Sequence, residues 1–324
     1  MTNYPTSFPK SSCYLEEPRI RYVSRKAKGV YANLLLDEWF KRAFCELPFS
    51  ERLLLLFLQE VIPERKIASI KYAPQEHTNP NPDKRGIRVD VEATDADGAR
   101  FLVEMQREPQ NCFYERALYN SSHCIIRQME KGSDEFDFPP VYFIGLVDFP
   151  LHANPDRVLY RYSLREDTDG ERMTDNIHYL FLELPNCGQA LTPKATVLDN
   201  VCFALHNMQF LEERPASLRQ EIFDLLFEAA NIATFTPEDK VRYEFNMTTE
   251  RDIRNQIRYA EQKGMERGME KGMEKGMEKG IEKGIEKGIE KEAESVARRM
   301  LKKGYPVEEV AEISGLAIEQ IHSL

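Results

Sequence analysis

The chain has 324 residues, a hydrophobic content of 42% and a formal net charge of −10. This hydrophobic content is sufficient for a folded core and excludes a globally disordered protein. No apolar run approaches the roughly 20 residues of a membrane-spanning helix, the first residues contain no apolar signal core, and the six cysteines form no C-x-x-C pair. We therefore expect a cytoplasmic protein with free thiols and no membrane contact, in which binding of nucleic acid depends on local basic groups.

The first part of the chain predicts an arm followed by two helices. Residues 1–30 are rich in proline and serine and are expected to be irregular. They include the basic segment Arg19–Lys28, which either contacts phosphate or is an ordinary solvated arm. A helical apolar pattern follows over 34–47, and a second helix is predicted over 50–62 with Ser50 as its N-cap.

The middle of the chain carries strand and helix patterns in alternation. A helix is predicted over 111–131, with Gly132 directly after its end, and further helices follow from residue 195 onward. A polar loop with two prolines occupies 75–86. Strands are predicted at 67–72, 87–94, 99–106, 141–149, 158–165 and 178–184.

Two of these strands, on either side of Asp95–Gly98, are predicted to form a hairpin of defined register. The Asp and Gly positions fit a type I turn with Gly98 as the left-handed residue. Paired residue numbers then sum to 194, so Asp90 lies opposite Glu104 on one face of the sheet. Their Cβ atoms would be about 5 Å apart, and two like charges at that distance repel unless a cation lies between them.

The polar face of the hairpin extends beyond this pair. Gln106, Arg88 and Glu92 share the face of Asp90 and Glu104, whereas the intervening valines alternate onto the other face and suit a core. The polar face is therefore either a metal-binding cluster or a solvated hairpin surface, and spacing alone favours neither strongly.

The tail is built from a four-residue repeat. Glycine recurs at every fourth position from Gly264 to Gly288, separated by Met-Glu-Lys/Arg or Ile-Glu-Lys. On a helix the Met/Ile row drifts by about 40° per repeat, and each glycine costs about 1 kcal/mol relative to alanine. Residues 246–292 are therefore either a weak helix that needs a partner, which predicts a homo-oligomer formed through the repeats, or a flexible charged linker. Residues 293–324 predict a small helical module, which resembles a helix-turn-helix and either binds DNA or packs against protein.

Several motifs between Leu35 and Phe149 follow one another in order. They are D-E-W-F-K-R-A-F at 37–44, R-V-D-V at 88–91, D-G-A-R-F-L-V-E-M-Q at 97–106, F-Y-E-R-A-L-Y at 113–119 and P-P-V-Y-F-I-G-L-V-D-F at 139–149. This succession resembles the Rpn family of recombination-promoting nucleases and transposases, a branch of the PD-(D/E)xK superfamily. The resemblance implies an α/β fold of restriction-endonuclease type over 31–245, with a mixed β-sheet flanked by helices and followed by a helical tail.

The resemblance also assigns roles to particular residues. It implies that Asp90, Glu104 and the carbonyl of Met105 bind Mg²⁺, with Mn²⁺ as an alternative, and that Asp37 is an acid that orients water. Gln106 stands where the superfamily usually has lysine. Its amide carries no charge but can hydrogen-bond the attacking water, so Gln106 is expected to take part in catalysis.

Lys41, Arg88 and Arg116 are candidates for contacts with DNA phosphates and, equally, for structural ion pairs. Two functions remain open. The first is a metal-dependent DNA endonuclease linked to recombination or mobile elements, which the three acids favour. The second is a catalytically weak nuclease fold that serves as an oligomeric DNA-binding or protein-interaction module. The glutamine at position 106 and the acidic net charge favour this second function.

Overall fold

A computed structural model describes residues 27, 29–77, 86–110, 112–129, 137–188 and 190–324. All but one residue of the basic segment Arg19–Lys28, most of the loop over 75–86, and Gly132 lie outside the described residues. The chain divides into two compact units, one that ends at Tyr243 and one that comprises Glu244–Leu324.

A mixed six-stranded sheet forms the centre of the first unit. The strands of this sheet and of a small second sheet are, in chain order, β1 (Ile70–Tyr72), β2 (Glu76–His77), β3 (Ile87–Arg88), β4 (Val91–Asp95), β5 (Arg100–Gln106), β6 (Val141–Val147), β7 (Leu159–Tyr162) and β8 (Ile177–Glu183). The order in the sheet is β1-β4-β5-β6-β8-β7, and β2 pairs with β3 in a separate two-stranded sheet. β6 is parallel to both of its neighbours, β5 and β8, whereas the pairs β1–β4, β4–β5 and β7–β8 are antiparallel.

The helices occupy the positions that the sequence predicts, with shorter ends. They are α1 (Asp37–Lys41), α2 (Ser50–Val61), α3 (Phe113–Gln128), α4 (Val197–Asn207), α5 (Glu221–Ala230), α6 (Pro237–Lys302), α7 (Val307–Ser314) and α8 (Ile318–His322). A π-helical turn, Arg42–Glu46, directly follows α1. Ser50 is the first residue of α2 and not its N-cap. Its hydroxyl bonds to the preceding turn, where it accepts the N–H of Leu47 at 2.9 Å and donates to the carbonyl of Ala43 at 2.7 Å.

The core lies between the sheet and its helices. All of β6 is buried, as its continuous apolar sequence predicts. On one face of the sheet, Phe143 and Phe181 pack with Phe113 and Ala117 of α3. Because α3 links β5 to the parallel strand β6, it crosses over this face. Elsewhere, α2 lies against β1, α4 and α5.

The second unit contains the repeats and the C-terminal module. Of the two alternatives for the repeats the structure has the helix, because α6 continues through all of them and ends at Lys302. The side chains over 255–292 are exposed. After the repeats, Ala297, Val310 and Ile321 form a small buried core that joins the end of α6 to α7 and α8. The C-terminal residues therefore fold as a helical module.

None of the helices in the described part of the chain is long and apolar enough to cross a membrane. The cysteines that the structure describes are free thiols, at positions 45, 112, 124, 187 and 202.

Candidate active site

The hairpin of β4 and β5 has the predicted register. Val91 pairs with Val103, so paired residue numbers sum to 194. The N–H of Gly98 donates to the carbonyl of Asp95 at 3.2 Å, and Gly98 has a φ of +84°. The turn predicted over Asp95–Gly98, and the register that follows from it, are therefore confirmed.

The strand predicted for the first half of this hairpin is interrupted at Asp90. A continuous ladder would pair Val89 with Met105. Val89 instead donates its N–H to the carbonyl of Gln75 at 2.9 Å, and the neighbouring strand β3 pairs with β2. The chain passes from one sheet to the other at Asp90, so the prediction of a direct Asp90–Glu104 pair within one continuous hairpin is wrong.

The side chain of Asp90 replaces the missing backbone partner. Its Oδ2 accepts the N–H of Met105 at 2.8 Å. The N–H and C=O of one residue in a strand point to the same side, so the carbonyl of Met105 also points toward the break. The next carbonyl, of Gln106, points the other way and accepts the N–H of Asp148 at 2.9 Å. The interruption thus brings one carboxylate and one carbonyl oxygen to the same edge.

The helix α1 adds a lysine and a second acid. The Nζ of Lys41 lies 3.3 Å from Oδ1 of Asp90 and 2.7 Å from Oδ1 of Asp37. Asp37 and Lys41 are four residues apart and therefore share a face of the helix. The side chains of Lys41 and Asp90 are each 13% exposed, whereas that of Asp37 is 65% exposed. Lys41 therefore lies inside the site and Asp37 at its opening.

Glu104 lies on the face of β5 that α3 covers. Its side chain is 8% exposed, and its Oε2 lies 3.7 Å from a guanidinium nitrogen of Arg116. Its Oε1 accepts a hydrogen bond from the amide of Asn120 at 3.1 Å. Arg116 and Asn120 are one turn apart on α3, so both face the strand. Asn120 supplies a hydrogen bond but no charge, so the negative charge of Glu104 is only partly compensated.

Burial and mutual repulsion shift the acids of the site. Burial raises the pKa of Glu104 to about 8, and the nearby charge of Asp90 adds to this shift. Burial also raises the pKa of Asp90 to about 6, with a further contribution from Asp37. Burial acts on Asp37 in the same direction, but its hydrogen bonds with Lys41 and Asp90 hold its pKa below the ordinary value. Glu104 thus retains a proton at neutral pH that a bound divalent cation would displace, whereas Asp90 is largely ionised there.

A family model described as PD-(D/E)XK nuclease family transposase matches residues 34–260, more than half of the chain. The chain belongs to this family. The predicted resemblance to PD-(D/E)xK nucleases and the α/β fold, with its mixed sheet and helical C-terminal region, are therefore confirmed. No curated protein and no solved structure matches the chain.

Gln106 occupies the position at which PD-(D/E)xK nucleases usually have lysine. Its Nε2 donates to the carbonyl of Glu108 at 3.0 Å, and its Oε1 accepts from Arg116 at 2.8 Å. Both ends of the amide contact protein groups, and the contact with an attacking water stays a prediction. The amide orients Arg116, and positive charge enters the site from Arg116 and Lys41.

Two residues predicted to share the polar face form ion pairs of their own. Arg88 belongs to β3, beyond the interruption, where its side chain is 65% exposed and forms an ion pair with Glu76 at 3.1 Å. Glu92 does lie on the face that α3 covers, but it is fully buried and bonded to Arg127. Arg88 still lies near enough to Asp37 and Lys41 for its charge to lower the pKa of both.

Gly145 allows α3 to approach Glu104. It pairs with Glu104 across β5 and β6. A Cβ at this position would lie 2.9 Å from the ring of Phe181 and 3.2 Å from that of Phe113. Glycine therefore leaves room for Phe113, the first residue of α3, and the following turn carries Arg116 toward the site.

Within the described ranges, no group of three or more Asp, Glu, His or Cys side chains is arranged to hold a metal ion. The site offers two carboxylates, from Asp90 and Glu104, and the carbonyl of Met105. Oxygen donors of this kind suit Mg²⁺, which usually takes one or two carboxylates and keeps several waters. Burial, together with repulsion between neighbouring acids, raises the pKa of both carboxyl groups, and a bound divalent cation would favour their charged forms.

Proposed function

We propose that this chain is a Mg²⁺-dependent DNA endonuclease, able to use Mn²⁺, that hydrolyses phosphodiester bonds in recombination or in the biology of mobile elements. Its membership in a PD-(D/E)XK nuclease family supports nuclease chemistry on DNA. The observation that carries the proposal is the interruption at Asp90, because the Asp90 carboxylate and the Met105 amide meet there beside buried Glu104. A cytoplasmic location stays a prediction.

Asp90, Glu104 and the carbonyl of Met105 would hold the metal. When bound, Mg²⁺ lowers the pKa of water and neutralises charge on the scissile phosphate. The two carboxylates hold their oxygens in place through contacts with neutral donors, the N–H of Met105 and the amide of Asn120. These donors orient the acids without adding charge, and Lys41 and Arg116 neutralise the acids only in part.

Lys41 and Asp37 act on the substrate. Burial alone would lower the pKa of Lys41, but its hydrogen bond with Asp37 and the charge of Asp90 hold this pKa above the ordinary value. The ammonium group therefore stays charged and can contact a non-bridging oxygen of the phosphate. Asp37 is ionised at neutral pH and largely exposed, so it can accept a hydrogen bond from the attacking water and orient it.

The direct test is cleavage of supercoiled plasmid DNA by the full chain. Asp90→Asn keeps the size of the side chain and its hydrogen-bonding capacity but removes the negative charge. We expect Mg²⁺-dependent cleavage to fall by at least about 100-fold, because a metal ligand is lost. Asp97→Asn is the matched control, since Asp97 lies in the turn of the same hairpin with its side chain 78% exposed. If Asp90→Asn cuts as fast as the Asp97→Asn control, the chemistry does not reside at Asp90.

A second function, a catalytically weak nuclease fold that binds DNA or protein, is favoured by one observation. Gln106 brings no charge, and both ends of its amide contact protein groups, Glu108 and Arg116. The variant Gln106→Lys separates the two functions. In a working nuclease whose charge comes from Lys41 and Arg116, we expect this variant to keep cleavage activity within about tenfold. Absence of cleavage in both wild type and Gln106→Lys, with DNA binding retained, would support the binding function.

The repeats are the proposed route to self-association. Met and Ile of successive repeats form one exposed row along α6, with side chains 58–76% exposed from Met265 to Ile289. The glycines between Gly264 and Gly288 form a second row and leave open space where a Cβ would be. Small residues allow a second helix to approach closely, and a four-residue period favours a right-handed supercoil. A second copy of α6 would therefore cover an apolar row that one copy leaves exposed.

Sedimentation of the full chain and of a variant lacking 264–291 tests this association. The seven glycines make the helix roughly 7 kcal/mol weaker than an alanine equivalent, so we expect the full chain to be a homo-oligomer and the shortened chain a monomer. An identical oligomeric state for both chains would leave the repeats as a spacer only.

A further inference from the structure

A cavity of about 540 Å³ lies at the end of the sheet where β6 and β8 begin and β7 ends. We call it the arginine pocket, because its lining includes Arg161, Arg165, Arg172 and His178. The candidate metal ligand Met105 pairs with Leu146 of β6. Tyr142, which also lines the pocket, lies four residues earlier on this strand, about 13 Å away. The arginine pocket is therefore separate from the candidate active site.

A stack of three rings crosses the sheet and ends at the pocket. Phe101, Tyr142 and His178 occupy paired positions on β5, β6 and β8. The ring centroids of Phe101 and Tyr142 are 5.4 Å apart, and those of Tyr142 and His178 are 4.4 Å apart, with interplanar angles of 18° and 5°. One face of the His178 ring thus packs on Tyr142, and its other face is directed toward the next strand, β7.

On the side of β7 the stack is followed by a serine. The ladder of β7 and β8 pairs Tyr162 with Tyr179, and the next residues along the two strands are Ser163 and His178, which both line the pocket. A serine is small and leaves the outer face of the imidazole accessible to a further planar ring. Nε2 of His178 donates to the carbonyl of Asp175 at 2.7 Å, and burial lowers the pKa of His178. The imidazole is therefore neutral at pH 7 and fixed in orientation.

Arg165 places a positive charge beside this space. Its Nε donates to the hydroxyl of Ser163 at 3.0 Å, so the two side chains lie on the same side of the chain. A terminal nitrogen donates to the carbonyl of Gly170 at 2.7 Å. Both of these partners are neutral oxygens. A guanidinium has more N–H groups than these two contacts use, and the others can contact an anion.

Arg172 stands directly across from Arg165. The two residues form an antiparallel bridge beyond the end of β7, and like charges in directly opposed positions repel. The ion pair of Arg172 with Asp175 offsets part of this repulsion. The adjacent acids, Glu166 and Glu171, alternate onto the other side of this hairpin, and the carboxylate of Glu166 accepts N–H groups of its own turn. An anion held between the two arginines would remove the remaining repulsion.

We propose that the arginine pocket binds one nucleotide unit, with its base stacked on His178 and its phosphate held by Arg165 and Arg172. Ser163, above which the base would lie, is two residues from Arg165, or about 7 Å along an extended chain. An aromatic ring beside basic groups is the usual means of holding a single nucleotide without reading its sequence. The cavity has the size of pockets that enclose small organic ligands. The proposal does not depend on the proposed nuclease function, because the pocket and the metal ligands are separate.

The first test is calorimetric titration of dAMP, and separately of inorganic phosphate, into the full chain in EDTA. Arg165→Gln should bind both ligands roughly tenfold more weakly, because a charged contact with the phosphate is lost. Arg219→Gln is the matched control, since Arg219 is also exposed and bonds to a neutral oxygen, the carbonyl of Ala216 at 2.9 Å. The control should bind both ligands as wild type does.

Ser163→Phe tests the stacking face. It puts a ring where the base would lie and keeps the arginines, so dAMP should bind at least about tenfold more weakly while the affinity for inorganic phosphate stays unchanged. A short single-stranded deoxyadenylate then distinguishes two sources of the nucleotide. Tighter binding of this strand than of dAMP, with the same sensitivity to Ser163→Phe, indicates a nucleotide within a strand. Equal affinity indicates a free nucleotide.

Three outcomes would overturn the proposal. Wild type binds neither dAMP nor the strand, or Arg165→Gln binds dAMP as tightly as the Arg219→Gln control, or Ser163→Phe weakens dAMP and inorganic phosphate equally. Should Ser163→Phe lower the melting temperature, Arg165→Gln decides. Asp90→Asn, which removes a proposed metal ligand, should bind dAMP as wild type does. Failure of the nuclease function would therefore leave the arginine pocket intact, and the two proposals can fail separately.

Discussion

Glu92 and Glu104 are two buried carboxylates on the same face of one hairpin, and α3 covers both, yet their neighbours differ in charge. Both oxygens of Glu92 lie 3.1 Å from the guanidinium of Arg127. Arg100 donates to Glu92 at 3.4 Å, and Nε2 of His77 lies 2.8 Å from it. The protein itself supplies the positive charge around Glu92.

The surroundings of Glu104 are the reverse. Its closest partner on α3 is Asn120, which is neutral, and Arg116 lies farther away at 3.7 Å. The nearby carboxyl group of Asp90 adds charge of the same sign and contributes to the raised pKa of about 8 for Glu104. An acid that is neutralised within the fold stabilises it, whereas an acid left short of positive charge is suited to bind a cation from outside. The two acids therefore differ in how far the fold itself neutralises them.

The largest expected effect is the loss of stability in Glu92→Gln. Glu92→Gln removes the charge that Arg127 and Arg100 neutralise, and breaking a buried ion pair costs about 3–5 kcal/mol. Urea unfolding of the metal-free protein should show this loss, while Glu104→Gln under the same conditions should lose nothing. Equal destabilisation by the two variants would remove the distinction between the two acids.

For the rate of DNA cleavage we expect the opposite order, with the larger loss in Glu104→Gln. Glu104→Gln should slow Mg²⁺-dependent plasmid cleavage by at least about 100-fold, because it removes a proposed metal ligand. The fraction of Glu92→Gln that remains folded, quantified by circular dichroism, should cleave at nearly the wild-type rate per folded molecule. A large loss of rate per folded molecule in Glu92→Gln would mean that both acids act in catalysis.

An effect of similar size is expected in the pH dependence of stability. Folded Glu104, with a pKa of about 8, retains a proton that the unfolded chain releases near pH 4.5. The unfolded state therefore binds fewer protons between these values, and the metal-free protein loses stability as pH rises through this window, by on the order of 5 kcal/mol. Calorimetry should show a shallower decline for Glu104→Gln. A wild-type stability that increases from pH 5 to pH 8 would contradict the raised pKa.

The smallest effect comes from changing one neutral neighbour. Asn120→Asp adds a third carboxylate beside Glu104 without changing side-chain size. Metal-free stability at pH 8 should fall by about 1 kcal/mol, because another like charge is buried, and Mg²⁺ affinity should rise several-fold with the added ligand charge. Thermal denaturation with and without Mg²⁺ measures both changes. Stabilisation of the metal-free protein by Asn120→Asp would show that Arg116 already compensates the site.

The sequence predicts the hairpin well because its register depends on local chemistry. Asp95 and Gly98 determine the turn, and the turn alone determines which residues of β4 and β5 face each other. The interruption at Asp90 is not predictable in this way. It depends on Val89 finding a partner in Gln75, fourteen residues earlier and across a polar loop. Alternation within the strand continues past this point and carries no signal of the change.

The surroundings of the site are likewise set by tertiary contacts. Lys41 and Arg116 are recognisable in the sequence as basic residues, but their distances from Asp90 and Glu104 depend on where α1 and α3 pack. The sequence indicates the position of Asn120 only weakly, through its four-residue spacing from Arg116. This spacing becomes informative only once α3 is known to cover β5. The stacking of His178 on Tyr142 joins separate strands and has no motif.

Calorimetric titration measures whether Asp90 and Glu104, which Lys41 and Arg116 neutralise only in part, bind a divalent cation. Mg²⁺ is titrated into the full chain at pH 7 in two buffers of different ionisation enthalpy, for wild type, Glu104→Gln and the Asp97→Asn control. We expect wild type and the control to bind one Mg²⁺ with release of about one proton, because the cation displaces it from Glu104, and we expect no binding by Glu104→Gln. Binding of equal strength and equal proton release in Glu104→Gln would contradict this expectation.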